Sequence, residues 1–132
     1  MTLVVDASLV VAALVDGGPA GRWADALLER DVLAAPHLMV VEAANVLRRA
    51  CLAGDLAADT ASLAHGDLAD LRVTLFAYAP FAERVWELRT TVTAYDAWYV
   101  AVAEEFDAPL ATLDERLARA PGPRCRFTTP GW

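Results

Sequence analysis

Four acidic residues stand out because each one interrupts or directly follows an apolar run. They are Asp6 in LVVDASLVVAAL, Glu42 in HLMVVEAANVL, Asp96 in TAYDAWYVAVAEE and Asp114 in LATLDERL. A compact fold draws such positions into partly buried places, where an unpaired charge is costly. Burial of one carboxylate shifts its pKa, whereas several carboxylates crowded together are most simply stabilised by a divalent cation. The chemistry that these residue types suggest is therefore divalent metal binding.

The same acids also have ordinary structural interpretations. Glu42 could lie on a solvated helix face in a salt bridge with Arg48 or Arg49, although its apolar neighbours argue against full exposure. The other three acids could serve as helix caps, and the possible capping groups are Asp6 or Ser8, Thr93 with Asp96, and Thr112 with Glu115 around Asp114. The occurrence of all four acids together, each in a suitable element, favours the metal-binding interpretation.

The elements that must position these acids alternate between short apolar strands and longer amphipathic helices. The spacing predicts strands over residues 3–5, 32–35, 73–78, 110–112 and 124–128, the last at an edge of the sheet. Helices are predicted over residues 8–15, 22–30, 37–52, 56–71, 81–92 and 95–106, with a short helix starting at Asp114. This alternation predicts an α/β fold, a three-layer α/β/α sandwich with a central, mainly parallel sheet.

Such a fold brings the acids toward one edge of the sheet. Asp6 and Asp114 each follow a predicted strand, and ligands of open α/β sheets bind at the carboxyl ends of the strands. Glu42 lies early on the helix after the second strand, and Asp96 lies in the first turn of another helix. We therefore expect the side chains of all four acids to face the same place.

The composition limits the possible classes of function. The 132 residues, of which 57% are hydrophobic, predict one domain over residues 1–132 with a substantial core and no apolar stretch long enough to span a membrane. Cys51 and Cys125 lack the spacing of a zinc or redox site, which predicts free thiols in a cytoplasmic protein. The net charge of −7 argues against broad, non-specific binding of nucleic acid. It does not argue against an enzyme whose metal and nearby arginines hold a phosphodiester.

The chain resembles a PIN domain, specifically a VapC-type ribonuclease toxin of a bacterial toxin–antitoxin pair. The resemblance rests on three blocks, VVDASLVVAAL, PHLMVVEAANVLRR and TAYDAWYVAVAEEFDAPLATLDERL, of which the third is the most specific. Only residues 55–91 lack a signature, and this region varies within the family. The resemblance implies a PIN-like domain over nearly the whole chain.

A metal-dependent endoribonuclease is the activity that the resemblance implies. Its catalytic residues, which are also its metal ligands, would be Asp6, Glu42, Asp96 and Asp114, holding one or two Mg²⁺ or Mn²⁺ ions. Hard divalent ions prefer carboxylate oxygens, and they lower the pKa of water so that hydroxide is available near neutral pH. No histidine is needed as a base.

Further polar residues are candidates for supporting roles around these acids. Ser8 and Thr112 could support the acids or contact phosphates, and Asn45 could orient the Glu42 carboxylate. Candidates for contact with the RNA backbone are Arg48, Arg49, Arg84, Arg89 and Arg116.

The resemblance also implies partners. It predicts a VapB-type antitoxin that blocks the acidic pocket and a homodimer of the toxin, with Trp23, Phe81, Trp86 and Trp98 as candidate contact residues or, alternatively, as core. The alternative function is a catalytically weak or inactive PIN-like module whose main role is binding an antitoxin or another protein. Other phosphoryl enzymes fit less well, because a haloacid-dehalogenase-type phosphatase needs an Asp where Ser8 stands, and a receiver domain needs a Lys, which the chain lacks.

Overall fold

A five-stranded parallel sheet lies at the centre of the computed structural model, which describes residues 1–132. The strands are Thr2–Val5 (β1), Val32–Pro36 (β2), Val73–Phe76 (β3), Leu110–Ala111 (β4) and Phe127–Thr128 (β5). Their order is β3-β2-β1-β4-β5, and every neighbouring pair is parallel. All five predicted strands are confirmed, including the edge position of β5, and the sheet is entirely rather than mainly parallel.

Seven α-helices accompany the sheet. They are Ala7–Val15 (α1), Pro19–Arg30 (α2), Leu38–Leu52 (α3), Ala58–Ala69 (α4), Ala82–Glu87 (α5), Ala94–Glu105 (α6) and Glu115–Arg119 (α7), and a 3₁₀ turn at Ala79–Phe81 precedes α5. Helix α6 packs against β1, β2 and β4, while α1 contacts α2, α3 and α4. The predicted three-layer α/β/α architecture is confirmed. None of the helices is both long and apolar enough to cross a membrane.

One predicted helix is too long. The pattern over residues 81–92 predicts a continuous helix, but α5 ends at Glu87 and residues 88–92 form turns. Leu88 closes the helix with its N–H directed at the Arg84 and Val85 carbonyls. The residues that follow include β-branched threonines and a valine, which are weaker helix formers than leucine or alanine. Leu88 and Val92 are nevertheless buried, so the apolar spacing correctly indicates core positions.

The core is apolar except at the carboxyl edge of the sheet. Val4, Val5 and Leu110 are fully buried in the two central strands, as expected for parallel strands covered on both faces. Among charged and non-aromatic polar side chains, only those of Asp6 and Thr112 are buried. The two buried polar side chains therefore lie where β1 and β4 end.

Candidate active site

The register of β1 and β4 places Asp6 beside Thr112. Val5 pairs with Ala111 in the parallel ladder, so the next residue of each strand is also adjacent to its counterpart. The Asp6 N–H donates to the Ala111 carbonyl at 3.4 Å, which extends the pairing past the end of the ladder. The Thr112 hydroxyl donates a short hydrogen bond to Asp6 Oδ2. Two residues at opposite ends of the sequence thus meet at one sheet edge.

Asp6 is held by three hydrogen-bond donors. Its Oδ1 accepts from the Ser8 hydroxyl at 2.7 Å and from the Leu9 N–H at 3.0 Å, and its Oδ2 accepts from Thr112. The bond from Leu9 makes Asp6 the N-cap of α1, so the capping interpretation is correct as well. Burial raises the pKa of Asp6, the three hydrogen bonds partly oppose that rise, and the charge of Asp114 adds to it. A carboxylate has about four acceptor positions, so one remains available.

The same two hydroxyl groups fix the turn that follows β4. Ser8 Oγ accepts from the Leu113 N–H at 3.3 Å, and Thr112 Oγ1 accepts from the Asp114 N–H at 2.9 Å. Each hydroxyl therefore donates to Asp6 and accepts from the turn. Ser8 and Thr112, which the sequence singles out as supporting residues, lie in direct contact with Asp6.

Asp114 is itself the N-cap of α7. Its Oδ1 accepts from the N–H groups of Arg116 and Leu117 at 3.0 and 3.3 Å. The predicted capping box of Thr112 with Glu115 is therefore wrong, because the helix begins two residues later than that spacing requires. Asp114 Oδ2 accepts no hydrogen bond from the protein, so this oxygen is free to bind a ligand.

Glu42 projects from the second turn of α3 and is partly buried. Its Oε1 accepts from the Tyr99 hydroxyl at 2.6 Å. Neither Arg48 nor Arg49 forms an ion pair with Glu42, so the salt-bridge interpretation is wrong. The orienting role expected of Asn45 is also not supported, because Asn45 is exposed on α3 and makes no hydrogen bond with Glu42. Tyr99, which the sequence interpretation missed, makes this contact instead.

Asp96 shows that the four acids share one region. Thr93 is the N-cap of α6 and accepts from the Asp96 N–H at 3.2 Å. Burial raises the pKa of Asp96 most strongly, followed by the negative charges of Asp114, Asp6 and Glu42, while a hydrogen bond with Thr93 opposes the rise. Since salt screens such effects beyond roughly 10 Å, Asp96 lies in the same region as the three other acids.

A surface cavity of about 150 Å³ joins Asp96 to Asp114, and Arg116 and Thr93 also line it. A larger cavity of about 330 Å³ lies between α3 and α4 and contains none of the four acids. As the side chains stand, no three acidic, histidine or cysteine residues converge closely enough to enclose a metal ion. The donor set still fits a hard divalent ion, because it consists of carboxylate oxygens with free acceptor positions.

The arginines differ in their availability to a phosphate. Arg84, a candidate for RNA contact, donates to Glu104 at 2.7 Å, so its guanidinium is already occupied and that prediction is not supported. Arg89 packs over the Trp86 ring at 4.9 Å. Arg116 is the candidate that lines the cavity beside the acids.

Fold and site together define an α/β protein whose acids gather at the carboxyl edge of a parallel sheet. The PIN domain model matches residues 3–123. The chain is 42% identical over 125 residues to ribonuclease VapC1 of Mycobacterium tuberculosis, and the alignment covers 94% of both chains. The chain therefore belongs to the PIN domain family and, within it, to the VapC-type ribonuclease toxins. The resemblance inferred from the sequence is confirmed.

Solved structures share the fold. PAE2754 from Pyrobaculum aerophilum is 25% identical, with a TM-score of 0.73, and the match covers 96% of this chain and 83% of that one. VapBC2 from Rickettsia felis, solved bound to a DNA fragment from their promoter, matches with a TM-score of 0.68 over 98% of both chains. At 14% identity, this second likeness concerns the fold alone.

Proposed function

We propose that this ribonuclease toxin hydrolyses RNA phosphodiester bonds internally, using Mg²⁺ or Mn²⁺ held by Asp6, Glu42, Asp96 and Asp114. One observation carries the proposal: Asp96 and Asp114 line the same surface cavity, and Asp6 is hydrogen-bonded to Thr112, two residues before Asp114. Four separate elements supply these residues, and no cationic side chain is ion-paired with any of them. A site that concentrates uncompensated negative charge is suited to a cation.

The residues of the chain divide the work of such a site. Ser8 and Thr112 hold Asp6 in one orientation and favour its ionised form. Asp114 uses one oxygen to cap α7, which leaves the other for the cation. When bound, the divalent ion would neutralise charge on the phosphodiester and promote ionisation of water. Arg116 is placed to attract the RNA phosphate by a charge-assisted hydrogen bond.

The proposed partners are a VapB-type antitoxin and a second copy of the toxin. Membership of the VapC-type toxins supports the first, and VapBC2 from Rickettsia felis shares the fold of this chain over nearly its whole length. Among the aromatic candidates, Phe81 is buried in the core, Trp23 and Trp98 are partly buried, and Trp86 is 66% exposed. Trp86 is therefore the candidate best placed to contact a partner.

The test uses purified protein, free of antitoxin, on total RNA with Mg²⁺ or Mn²⁺. Cleavage is expected to stop with EDTA and in Asp6→Asn, whose amide oxygen can still cap α1. Asp59→Asn is the matched control, because Asp59 is an exposed acid in the first turn of α4, outside the site. If Asp6→Asn cut RNA as well as the parent, the assignment of the centre would be wrong. If the parent bound an antitoxin but cut no RNA, the binding module would be the better description.

A further inference from the structure

Tyr99 is the buried side chain that links the acids at the sheet edge. It is 1% exposed, and its hydroxyl donates to Glu42 Oε1 at 2.6 Å. It follows Asp96 by three residues on α6, so the two side chains share a helix face. The charge of Asp6 and the Ala7 N–H also act on the Tyr99 hydroxyl, which places that hydroxyl near the start of α1. Tyr99 therefore lies beside residues from three of the elements that form the site.

The hydrogen bond is of the strong, charge-assisted kind. A distance of 2.6 Å between a hydroxyl and a carboxylate oxygen is typical of an ionised acceptor. The ordinary pKa of a phenol is about 10, well above neutral pH. The phenol consequently remains a donor throughout the physiological range. Because the Tyr99 ring is packed in the core, the position of its hydroxyl is fixed. The Glu42 carboxylate must therefore adopt the orientation in which Oε1 meets that hydroxyl.

Glu42 depends on this single contact more than Asp6 or Asp114 depends on any one of its contacts. Asp6 has three protein donors and Asp114 has two, whereas Glu42 has only the Tyr99 hydroxyl. Glutamate also has one more rotatable bond than aspartate, and it loses more side-chain entropy when it is fixed. Without Tyr99, the Glu42 carboxylate has several rotamers and no partner to select one.

We propose that Tyr99 is the positioning residue of the acidic site, whose hydroxyl holds Glu42 Oε1 so that Oε2 is presented to the divalent ion. The inference rests on the proposed function, since it assumes that Glu42 is a metal ligand. Hydrogen-bond partners of metal ligands orient them, and their loss typically weakens metal affinity roughly 10- to 100-fold. A tyrosine that served only to fill the core would be replaceable by phenylalanine without such a loss.

The test compares Tyr99→Phe with Tyr95→Phe. Tyr95 lies on the same helix, is 62% exposed and makes no hydrogen bond through its hydroxyl, so it controls for the substitution itself. Mn²⁺ dissociation constants would be measured by calorimetry on the metal-free proteins, with circular dichroism to verify folding. We expect Tyr99→Phe to weaken Mn²⁺ binding roughly 10- to 100-fold and Tyr95→Phe to leave it unchanged.

A double-variant cycle identifies the residue through which Tyr99 acts. In a Glu42→Gln background, adding Tyr99→Phe should produce no further loss of Mn²⁺ affinity, because the carboxylate that Tyr99 positions is absent. A full additional loss in that background would show that Tyr99 acts elsewhere. Equal Mn²⁺ affinity of Tyr99→Phe and the parent would overturn the inference and leave the proposed function intact. A parent that neither binds Mn²⁺ nor cuts RNA would overturn both.

A measurement on the parent protein keeps the inference testable even if Tyr99→Phe does not fold. The ¹³Cζ resonance of Tyr99 reports on the hydrogen bond of its hydroxyl. During a Mg²⁺ titration this resonance should move until the site is saturated, while that of Tyr95 should remain in place. A Tyr99 resonance that is unaffected by saturating Mg²⁺ would contradict the inference.

Discussion

Helix α6 carries a partly buried carboxylate near each end, and the two carboxylates have opposite surroundings. Asp96, in the first turn, faces three other acids, and burial together with their charges raises its pKa. Glu104, in the last turn, accepts from Arg84 at 2.7 and 3.1 Å and from the Arg124 N–H at 2.7 Å. Burial by itself raises the pKa of Glu104. Together, the donors on Arg84 and Arg124 lower this pKa by more than burial raises it, so the net shift is downward.

The comparison separates charge that stabilises the fold from charge that is retained for a ligand. The helix dipole favours an acid at the first turn and disfavours one at the last turn, which is the reverse of the direction of these two pKa shifts. Burial and the neighbouring side chains, rather than the helix dipole, therefore set both directions. Where only the fold is concerned, a buried carboxylate has a guanidinium beside it. Where a cation is expected to bind, no guanidinium forms an ion pair with the carboxylates, and their mutual repulsion lowers the stability of the fold.

The largest effect is expected from Asp96→Asn. RNA cleavage should fall on the order of 100-fold or more, because the proposed function makes Asp96 a metal ligand at the reaction centre. The melting temperature of the metal-free variant should equal or exceed that of the parent, since repulsion among the acids is reduced. Cleavage assays and thermal melts with EDTA measure the two quantities, with Asp59→Asn as control. A variant that was less stable than the parent but still cut RNA would contradict the role assigned to Asp96.

Glu104→Gln is expected to have the opposite profile. The free energy of unfolding should fall by about 1–3 kcal/mol, because Arg84 loses its charged partner in a partly buried place. The loss stays below that of a fully buried pair, since the side chains of Arg84 and Glu104 remain 20% and 15% exposed. Urea denaturation measures the change, and Glu105→Gln, at the exposed neighbouring position, is the control. The folded variant should still cleave RNA, and a specific loss of cleavage would contradict this division of roles.

The two ends of the helix should also differ in the pH dependence of stability. The pKa of Asp96 in the folded protein lies above 3.8, its ordinary value. As pH rises, Asp96 therefore ionises in the unfolded chain before it ionises in the folded protein. The parent consequently loses stability relative to Asp96→Asn as pH rises. The folded pKa of Glu104 lies below 4.5, so its stabilisation is present above that pH and is lost as pH falls through the folded pKa.

Urea titrations of the metal-free proteins between acidic and neutral pH can measure both trends. The advantage of Asp96→Asn should grow toward neutral pH, and the cost of Glu104→Gln should also be greatest there. An advantage of Asp96→Asn that shrank as pH rose would show that the charge of Asp96 is compensated after all.

The smallest effect is expected from Thr93→Ala, which removes the N-cap of α6. Its hydroxyl accepts from the Asp96 N–H, so the substitution should lower the free energy of unfolding by about 1 kcal/mol. Cleavage should decline far less than in Asp96→Asn, because the carboxylate remains. Thr93→Ser should restore stability, and Thr90→Ala, at an exposed position without a hydrogen bond, should have no effect on the same urea curves.

Local sequence was sufficient for the order of elements and for the acids. The strands β1, β2 and β4 are apolar runs, and each acid departs from the pattern around it, as Asp6 does after Leu3, Val4 and Val5. The extent of α5 was misjudged because apolar spacing continues into turns that also bury Leu88. A periodic pattern records which residues are buried, but it does not record whether the backbone between them remains helical.

Contacts between distant residues could not be predicted in this way. Tyr99 lies in an apolar run and has the pattern of an ordinary core residue, and its acceptor Glu42 is 57 positions away. Arg84 and Glu104 are 20 positions apart, on different helices. In each case the partner is chosen by helix packing, which no single-sequence pattern expresses. The expectation for Asn45 failed for the same reason, since its spacing from Glu42 was suitable but its side chain faces solvent.

The pairing of β1 with β4 also sets the moment at which the centre comes into being during synthesis. The hydroxyl that contacts Asp6 Oδ2 is 106 positions later in the chain than Asp6 itself. A growing chain therefore carries Asp6 without Thr112 or Asp114 until translation has passed β4. A product terminated before β4 lacks the strand that closes the site. In the order of translation, the segment that follows β4 is therefore the last to contribute an acid to this edge of the sheet.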